Sequence, residues 1–212
     1  MNKKVGLLIV LISCFLVSCS PLLSTSYTKD GYTDKSYKKI VVIGISNDLN
    51  ARLAFENKAV ELLKANGINA VSGISMFPQN MPKEAQTPEN FIQIIKDNNL
   101  DGVITMSLID EKDSHRYTPG RTYSVPAGYY RVGKYIYRRY VTVREPGYYV
   151  PTQSYVIEAV LYNLKGELTV DKDTWVWTGE SSLVDPYSLQ SAANKFCSQM
   201  VGQILKDEVV VP

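Results

Sequence analysis

The chain has 212 residues, 45% of them hydrophobic, with 23 Lys and Arg against 21 Asp and Glu, a formal charge of +2, three cysteines and one histidine. Its apolar content is that of a globular protein, and its length is one domain's worth once a leader is removed. A single histidine, His115, argues against most metal sites and every His-dependent triad, and so few cysteines exclude a disulfide framework.

The N-terminus reads as an address. Lys3 and Lys4 are followed by an apolar run, Val5 to Val17, broken only by Ser13 and Cys14, and then by Leu16-Val17-Ser18-Cys19. This is the layout of an export signal with small residues before the cut. It resembles the bacterial lipobox, which implies cleavage before Cys19 and acylation of that cysteine. Leu11-Ile12-Ser13-Cys14 fits the same pattern, but cutting there would shorten the apolar core and strand Phe15-Leu16-Val17 on the mature chain. A membrane helix is rejected because the run falls short of the ~20 residues a span needs. Two or more acyl chains anchor stably where one does not. Ser20 after the cysteine favours, by resemblance to the enterobacterial sorting rule, an outer-membrane anchor facing the periplasm; in a Gram-positive cell the plasma membrane would take its place. The expected division is a signal peptide over 1–18, the lipidated cysteine and a flexible tether over 19–37, and one α/β domain over 38–212. Ser20 to Tyr37 is polar and lacks an apolar period, giving a relaxed reach of about 25 Å.

The domain opens on Ile40-Val41-Val42-Ile43-Gly44-Ile45, a β-branched run typical of a strand buried on both faces. Asp48 is placed to cap a helix whose face carries Ala51, Phe55, Ala59, Leu62 and Leu63, and Asn66-Gly67 stops it. Ile68 to Ile74 predicts a weaker strand. After a Pro-containing loop, Thr87-Pro88-Glu89 starts a second helix with Phe91, Ile94 and Ile95 as its apolar stripe. Val103 to Ile109 alternates as a third strand. This β-α-β-α-β order favours parallel pairing. Tyr155 to Tyr162 and Thr174 to Thr178 predict an antiparallel pair, and Asp185-Pro186 a last helix with Leu189, Ala193, Phe196, Met200 and Ile204 along one stripe. Cys197 lies in that helix and reads as a small core residue. The fold class is α/β (α+β): a mixed sheet with helices packed on it.

Between the third and fourth strands the composition changes. Residues 114 to 150 hold seven Lys and Arg against one acid, Glu145, a net of +6. Once Lys3 and Lys4 leave with the signal the mature chain balances, so the remainder carries −6. Eleven of the 15 tyrosines lie between Tyr117 and Tyr162. This predicts a long Tyr/Arg-rich β-hairpin insertion at about 114–152, turning near Val132-Gly133, with Pro126-Ala127-Gly128 and Pro146-Gly147 as similar corners. Its candidate partner-binding residues are Tyr129, Tyr130, Arg131, Lys134, Tyr135, Tyr137, Arg138, Arg139 and Tyr140, because Tyr and Arg are the side chains enriched at interaction hot spots. Three readings stay open. The hairpin covers the sheet or guards an edge; it binds an envelope protein, an anionic glycan or lipid head groups; or it enters a membrane, against which Arg138, Arg139 and Arg144 interrupt both strand faces. Nucleic acid suits the chemistry but not the compartment.

Three stretches, "KKIVVIGI" before a helix, "DGVITMSL" after the second helix and "VIEAVLYNLKGEL…TWVWTGES" before the last, resemble a group of bacterial lipoproteins. The architecture is also similar to the N-terminal domain of TolB and to lipoprotein activators of peptidoglycan synthases. That resemblance implies a partner-binding role in the periplasm, no cofactor and no catalysis, and it assigns no residues. No Gly-x-Ser-x-Gly elbow and no phosphate-binding glycine loop occurs. Asp171 and Asp173 read as a polar turn rather than a cation site. Glu158 and Glu180 would meet if their strands pair. The expected function is a membrane-anchored, non-catalytic binding or scaffold lipoprotein; the alternatives are an oligomeric envelope-assembly component and, more distantly, a hydrolase.

Overall fold

The computed structural model describes residues 23–78, 80–132, 135–166 and 173–211, with the backbone alone for 129–132, 135–137 and 139. The signal peptide, Cys14, Cys19, Gly133, Lys134 and Asp171 lie outside the described residues.

The strands are β1 (Thr25–Thr28), β2 (Ile40–Ile45), β3 (Ala70–Ser72), β4 (Gly102–Thr118), β5 (Arg121–Val132), β6 (Tyr135–Glu145), β7 (Tyr148–Asn163) and β8 (Trp175–Val184), and the helices are α1 (Leu49–Ala65), α2 (Pro88–Asp97) and α3 (Leu189–Lys206). Six strands form one mixed sheet in the order β1-β8-β7-β4-β2-β3, while β5 and β6 pair separately. β2 runs parallel to both β3 and β4; all other pairs are antiparallel. The chain leaves β2 for β3 on one side and returns through α2 to β4 on the other, so β2 is the strand at which the winding reverses.

Local chemistry sets the helix ends. The Asp48 carboxylate accepts from the backbone N–H groups of Asn50 and Ala51, Thr87 accepts from Asn90 with Pro88 following, and Asn66 closes α1 with Gly67 at φ 79°. α3 starts later than Asp185-Pro186 suggests: Ser188 is its cap. Asp185 instead turns the chain at φ 44° and accepts from the Gln153 backbone N–H.

One sheet face is packed by α1 and α3. Ile40, Val42, Ile104, Met106, Ile157, Ala159, Leu161 and Trp177 meet Ala59 and Leu63 of α1 and Phe196, Met200 and Ile204 of α3, and Phe55 packs on Phe196 with ring centroids 6.1 Å apart. The expected α1 face is buried, with Phe55 and Leu62 packed beside Ala59 and Leu63, and it is wider than expected. Ala59 and Leu63 are buried, but so are Arg52 and Glu56, which look on paper like a solvent-facing i,i+4 pair. α2 has no buried residue; Phe91 and Ile95 stand with Ile43 and Val103 around an open groove on the opposite sheet face.

The 20–37 tether needs correction. β1 adds to the edge of β8, with Thr25 opposite Glu180 and Thr28 opposite Trp177, and Leu23 is in the core. Tyr37 lies against Gly102, where a Cβ would come within 2.7 Å of its ring. Tyr32 and Tyr37 bond each other through their hydroxyls, and Asp101 accepts from the backbone N–H groups of Lys38 and Lys39. An apolar period is absent because these residues use single aromatic contacts and edge pairing rather than a repeating stripe. From Leu23 onward the expected tether is therefore part of the fold.

Candidate functional site

β4 and β7 do not end with the sheet. Past a bulge between Leu108 and Asp110 their pairing runs on to Thr118↔Tyr148; β8 accompanies β7 as far as Ser154↔Val184, so the two-stranded ladder starts at Asp113↔Gln153 and is about 20 Å long at ~3.3 Å per residue. β5 and β6 resume the pairing from Arg121↔Glu145 to Val132↔Tyr135. Two Pro-Gly dipeptides, Pro119-Gly120 and Pro146-Gly147, face each other at the junction. Neither proline can donate to a ladder, and both strands approach too closely for side chains. A Cβ on Gly120 would fall 2.4 Å from the Glu145 carbonyl oxygen, and one on Gly147 2.1 Å from the Tyr117 hydroxyl. The predicted hairpin is therefore one long ribbon, 109–156, hinged at its middle. Of the two expected corners, Pro146-Gly147 is this break. Pro126 to Gly128 is a bulge inside β5, with Gly128 at φ 106°.

The ribbon contributes nothing to the apolar core: among the described residues, no buried hydrophobic side chain lies between 107 and 156. Tyr117, Tyr123, Tyr140, Tyr148 and Tyr149 are exposed, by 53%, 39%, 57%, 61% and 69%. Tyr117 and Tyr149 stand opposite in the register with ring centroids 5.2 Å apart. The ribbon's one acid in this block is occupied internally. Arg121 Nε donates to Glu145 Oε2 at 2.6 Å and the Tyr123 hydroxyl to Oε1 at 2.9 Å. The Arg121 guanidinium, then the Tyr123 hydroxyl, hold the Glu145 carboxyl below the usual carboxylate range, and Glu145 raises the Tyr123 hydroxyl in turn. Arg116, Arg138 and Arg144 are exposed. Of the nine residues chosen from sequence, Arg138 and Tyr140 have described, exposed side chains. Tyr129, Tyr130, Arg131, Tyr135, Tyr137 and Arg139 are placed by backbone alone, on the distal half of the ribbon, with Tyr129 opposite Arg138 and Tyr130 opposite Tyr137. Lys134 falls outside the described residues.

At the carboxyl ends of β2 and β4 a cleft of about 380 Å³ opens between the N-termini of α1 and α3, lined by Ile45, Phe55, Met106, Leu108, Ile157 and Leu189 among others. Its volume is within the range of small-molecule clefts, and sequence periodicity gave no sign of it because its walls come from four strands and two helices. Arg52 is among its lining residues and is held by Glu56 behind it. Glu56 is wholly buried and accepts from the Gly44 N–H (2.9 Å), the Ile74 N–H (2.8 Å), the Ser72 hydroxyl (2.6 Å) and Arg52 Nε and Nη2 (3.2 Å each). Arg52 also donates to the Phe77 carbonyl. This network ties α1 to the ends of β2 and β3.

The remaining sequence candidates are now placed. Glu158 and Glu180 do meet, as a directly opposed cross-strand pair, with the Thr178 hydroxyl donating to Glu158 at 3.1 Å. Asp173 pairs with Lys29 at 2.8 Å, as a polar turn would. Cys197 is buried with its Sγ 3.5 Å from the Phe55 carbonyl oxygen, and burial pushes its thiol up to about 12. His115 is exposed on the ribbon. Among the described residues, no three His, Cys, Asp or Glu side chains are grouped to hold a metal ion.

No protein-family model matches the chain, and no curated protein matches it in sequence. Solved structures share its outline. A PelC dodecamer from Paraburkholderia phytofirmans is similar over 89% of this chain and 99% of its own, at 12% identity and a TM-score of 0.43. Lipoprotein GNA1162 from Neisseria meningitidis is similar over 79% of this chain and 98% of its own, at 16% identity and a TM-score of 0.40. These are likenesses of gross outline, and the functional reading rests on the residues themselves.

Proposed function

We propose that the chain is a lipoprotein anchored through Cys19 in the bacterial outer membrane and facing the periplasm, with a non-catalytic binding or scaffold role, and that the 109–156 ribbon is its interaction surface. The observation that carries this reading is the ribbon's separation from the core. Tyrosines serving as structural cover would lie on the sheet, as half-buried Tyr155 does where β7 still pairs with β8, whereas Tyr117, Tyr123, Tyr140, Tyr148 and Tyr149 stand exposed beyond it. Exposed Tyr and Arg on a two-stranded element suit a contact surface: they offer large area and directional donors. Glu145, the one acid of the 114–150 block, is held by Arg121 and Tyr123. An envelope protein, an anionic glycan or lipid head groups fit that surface; the TolB-like and activator-like resemblance, carried by sequence pattern, agrees with a partner-binding role.

The test replaces Arg131, Lys134, Arg138 and Arg139 with Ser in the full-length lipidated chain. Melting should stay within about half a kcal/mol per exposed site. Species crosslinked to the ribbon in isolated envelopes should be lost, with a salt dependence set by a Debye length near ~8 Å. Loss of the fold would return the block to structural cover. An intact fold with an unchanged crosslinking pattern would remove the basic side chains from the surface.

A further inference from the structure

We infer that the ribbon lies on the bilayer that holds Cys19, with its Arg, Lys and Tyr side chains among anionic phospholipid head groups. This rests on the anchor and on the ribbon being a contact surface, and it names the surface's partner.

The geometry comes from where the chain enters the fold. β1 runs antiparallel to β8, the Ser24 N–H donates to the Glu180 carbonyl, and the Ser182 N–H donates to the Ser24 hydroxyl. Traced backwards, the chain thus leaves Leu23 toward the Val184 end of β8. That is also the end at which β2 finishes, β4 leaves the sheet as the ribbon and β7 returns. Anchor and ribbon therefore depart from the same end. Four peptide links join Cys19 to Leu23, a reach of at most about 14 Å. The ribbon projects about 20 Å beyond the end of β8 before its Pro-Gly break.

A ribbon longer than the tether cannot stand clear of the membrane, and it cannot point straight into it. Its root reads Asp110-Glu111-Lys112-Asp113, four charged side chains that the hydrocarbon would exclude. The arrangement that satisfies both limits is a ribbon laid along the surface. The structure supplies the bends: bulges between Leu108 and Asp110 and between Pro126 and Tyr129, and the paired Pro-Gly break.

Surface chemistry agrees. Ile45, Leu108, Ile109, Val184, Tyr187 and Leu189 are exposed apolar side chains gathered at this end, Tyr187 by 97%. Tyrosine belongs at the depth of the head groups, and each Lys or Arg near an anionic surface is worth about 1 kcal/mol, or roughly fivefold in partitioning. At the opposite end stand the ion pairs Lys165 with Asp34 and Lys35 with Glu208, and one exposed apolar side chain, Val211.

The experiment uses the chain from Ser20 onward, which keeps every described element and lacks the lipid. Flotation is measured with vesicles of phosphatidylethanolamine and phosphatidylglycerol, and with vesicles of phosphatidylcholine alone, at low and high salt. Binding to the anionic vesicles, lost in high salt and on phosphatidylcholine, is expected. The Arg131, Lys134, Arg138 and Arg139 to Ser variant should bind at least ~100-fold more weakly. Tyr148→Trp should report contact through quenching by brominated phospholipid, against the unmodified chain as background. Equal binding to both vesicle types, or binding indifferent to the four substitutions, overturns the inference. If vesicles are not bound while the envelope crosslinks still depend on the four basic residues, the inference fails and the contact-surface reading stands with a protein or glycan partner. If neither responds, both fail.

Discussion

The packed half of the sheet and the ribbon are built from the same two strands, yet they are specified differently. Over 102–108 and 157–163, β4 and β7 alternate between buried and half-exposed residues, and each has a helix or another strand beside it. Over 113–118 and 148–153 the same strands have only each other, and most residues are exposed, the buried Thr152 excepted. A two-stranded ladder alone is marginal in water. Here it is the continuation of two strands already fixed by a core, so the register is inherited rather than paid for locally. The lesson is that burial fixes the sheet and continuity fixes the ribbon. The ribbon's surface is thereby free to carry Tyr and Arg.

The comparison can be broken first in the body. Glu56→Ala should cost about 3–5 kcal/mol, because it leaves the Arg52 guanidinium buried without its anion and strands the Gly44 and Ile74 N–H groups. Chemical denaturation measures this, and a loss under ~1 kcal/mol would show that the network adds little to the hold on α1. Next comes alkali. The Cys197 thiol sits at about 12 in the fold against 9.0 as its ordinary value. Above pH ~9 the unfolded chain loses this proton before the folded one does, so stability should decline as pH rises from about 9 toward 12. Cys197→Ala should flatten that part of the curve. The thiol of the folded protein should resist iodoacetamide at pH 8 and react on denaturation.

A smaller and local effect is expected at the hinge. Gly120→Ala drives a Cβ into the Glu145 carbonyl and the Gly147 nitrogen. It should speed amide exchange throughout β5 and β6 while the melting of the body moves by less than about 1 kcal/mol. A matching loss in both regions would mean that the ribbon and the body unfold as one unit. The smallest effect belongs to the exposed ring pair. Tyr149→Ala should cost about 0.2–1 kcal/mol through the lost contact with Tyr117, measured by exchange within the ladder. A larger loss would give the tyrosines a structural share that their exposure does not suggest.

Much of the fold is legible in the residues taken singly or in short windows. The β-branched run at Ile40, the caps at Asp48 and Thr87, the stop at Asn66-Gly67, the α3 stripe through Phe196 and Met200, and the basic aromatic composition of 114–150 all depend on neighbours within a few positions. Periodicity and capping report such neighbours. The features that short windows do not report share one cause. Arg52 and Glu56 carry the signature of a solvated i,i+4 pair, and only Gly44, Ser72, Ile74 and Phe77, brought in from three other segments, turn them inward. Thr25 to Thr28 has no apolar period because an edge strand is held by backbone groups of β8, which no side-chain pattern announces. Pro119-Gly120 and Pro146-Gly147 are 27 positions apart, and they become one hinge only when the ladder aligns them. Sequence by itself determined which residues are apolar, which cap, and where Tyr and Arg collect. Only the tertiary structure decided that Leu23 and the ribbon leave by the same end of the sheet, because the direction of a strand is set by its hydrogen-bonded partners rather than by its own side chains.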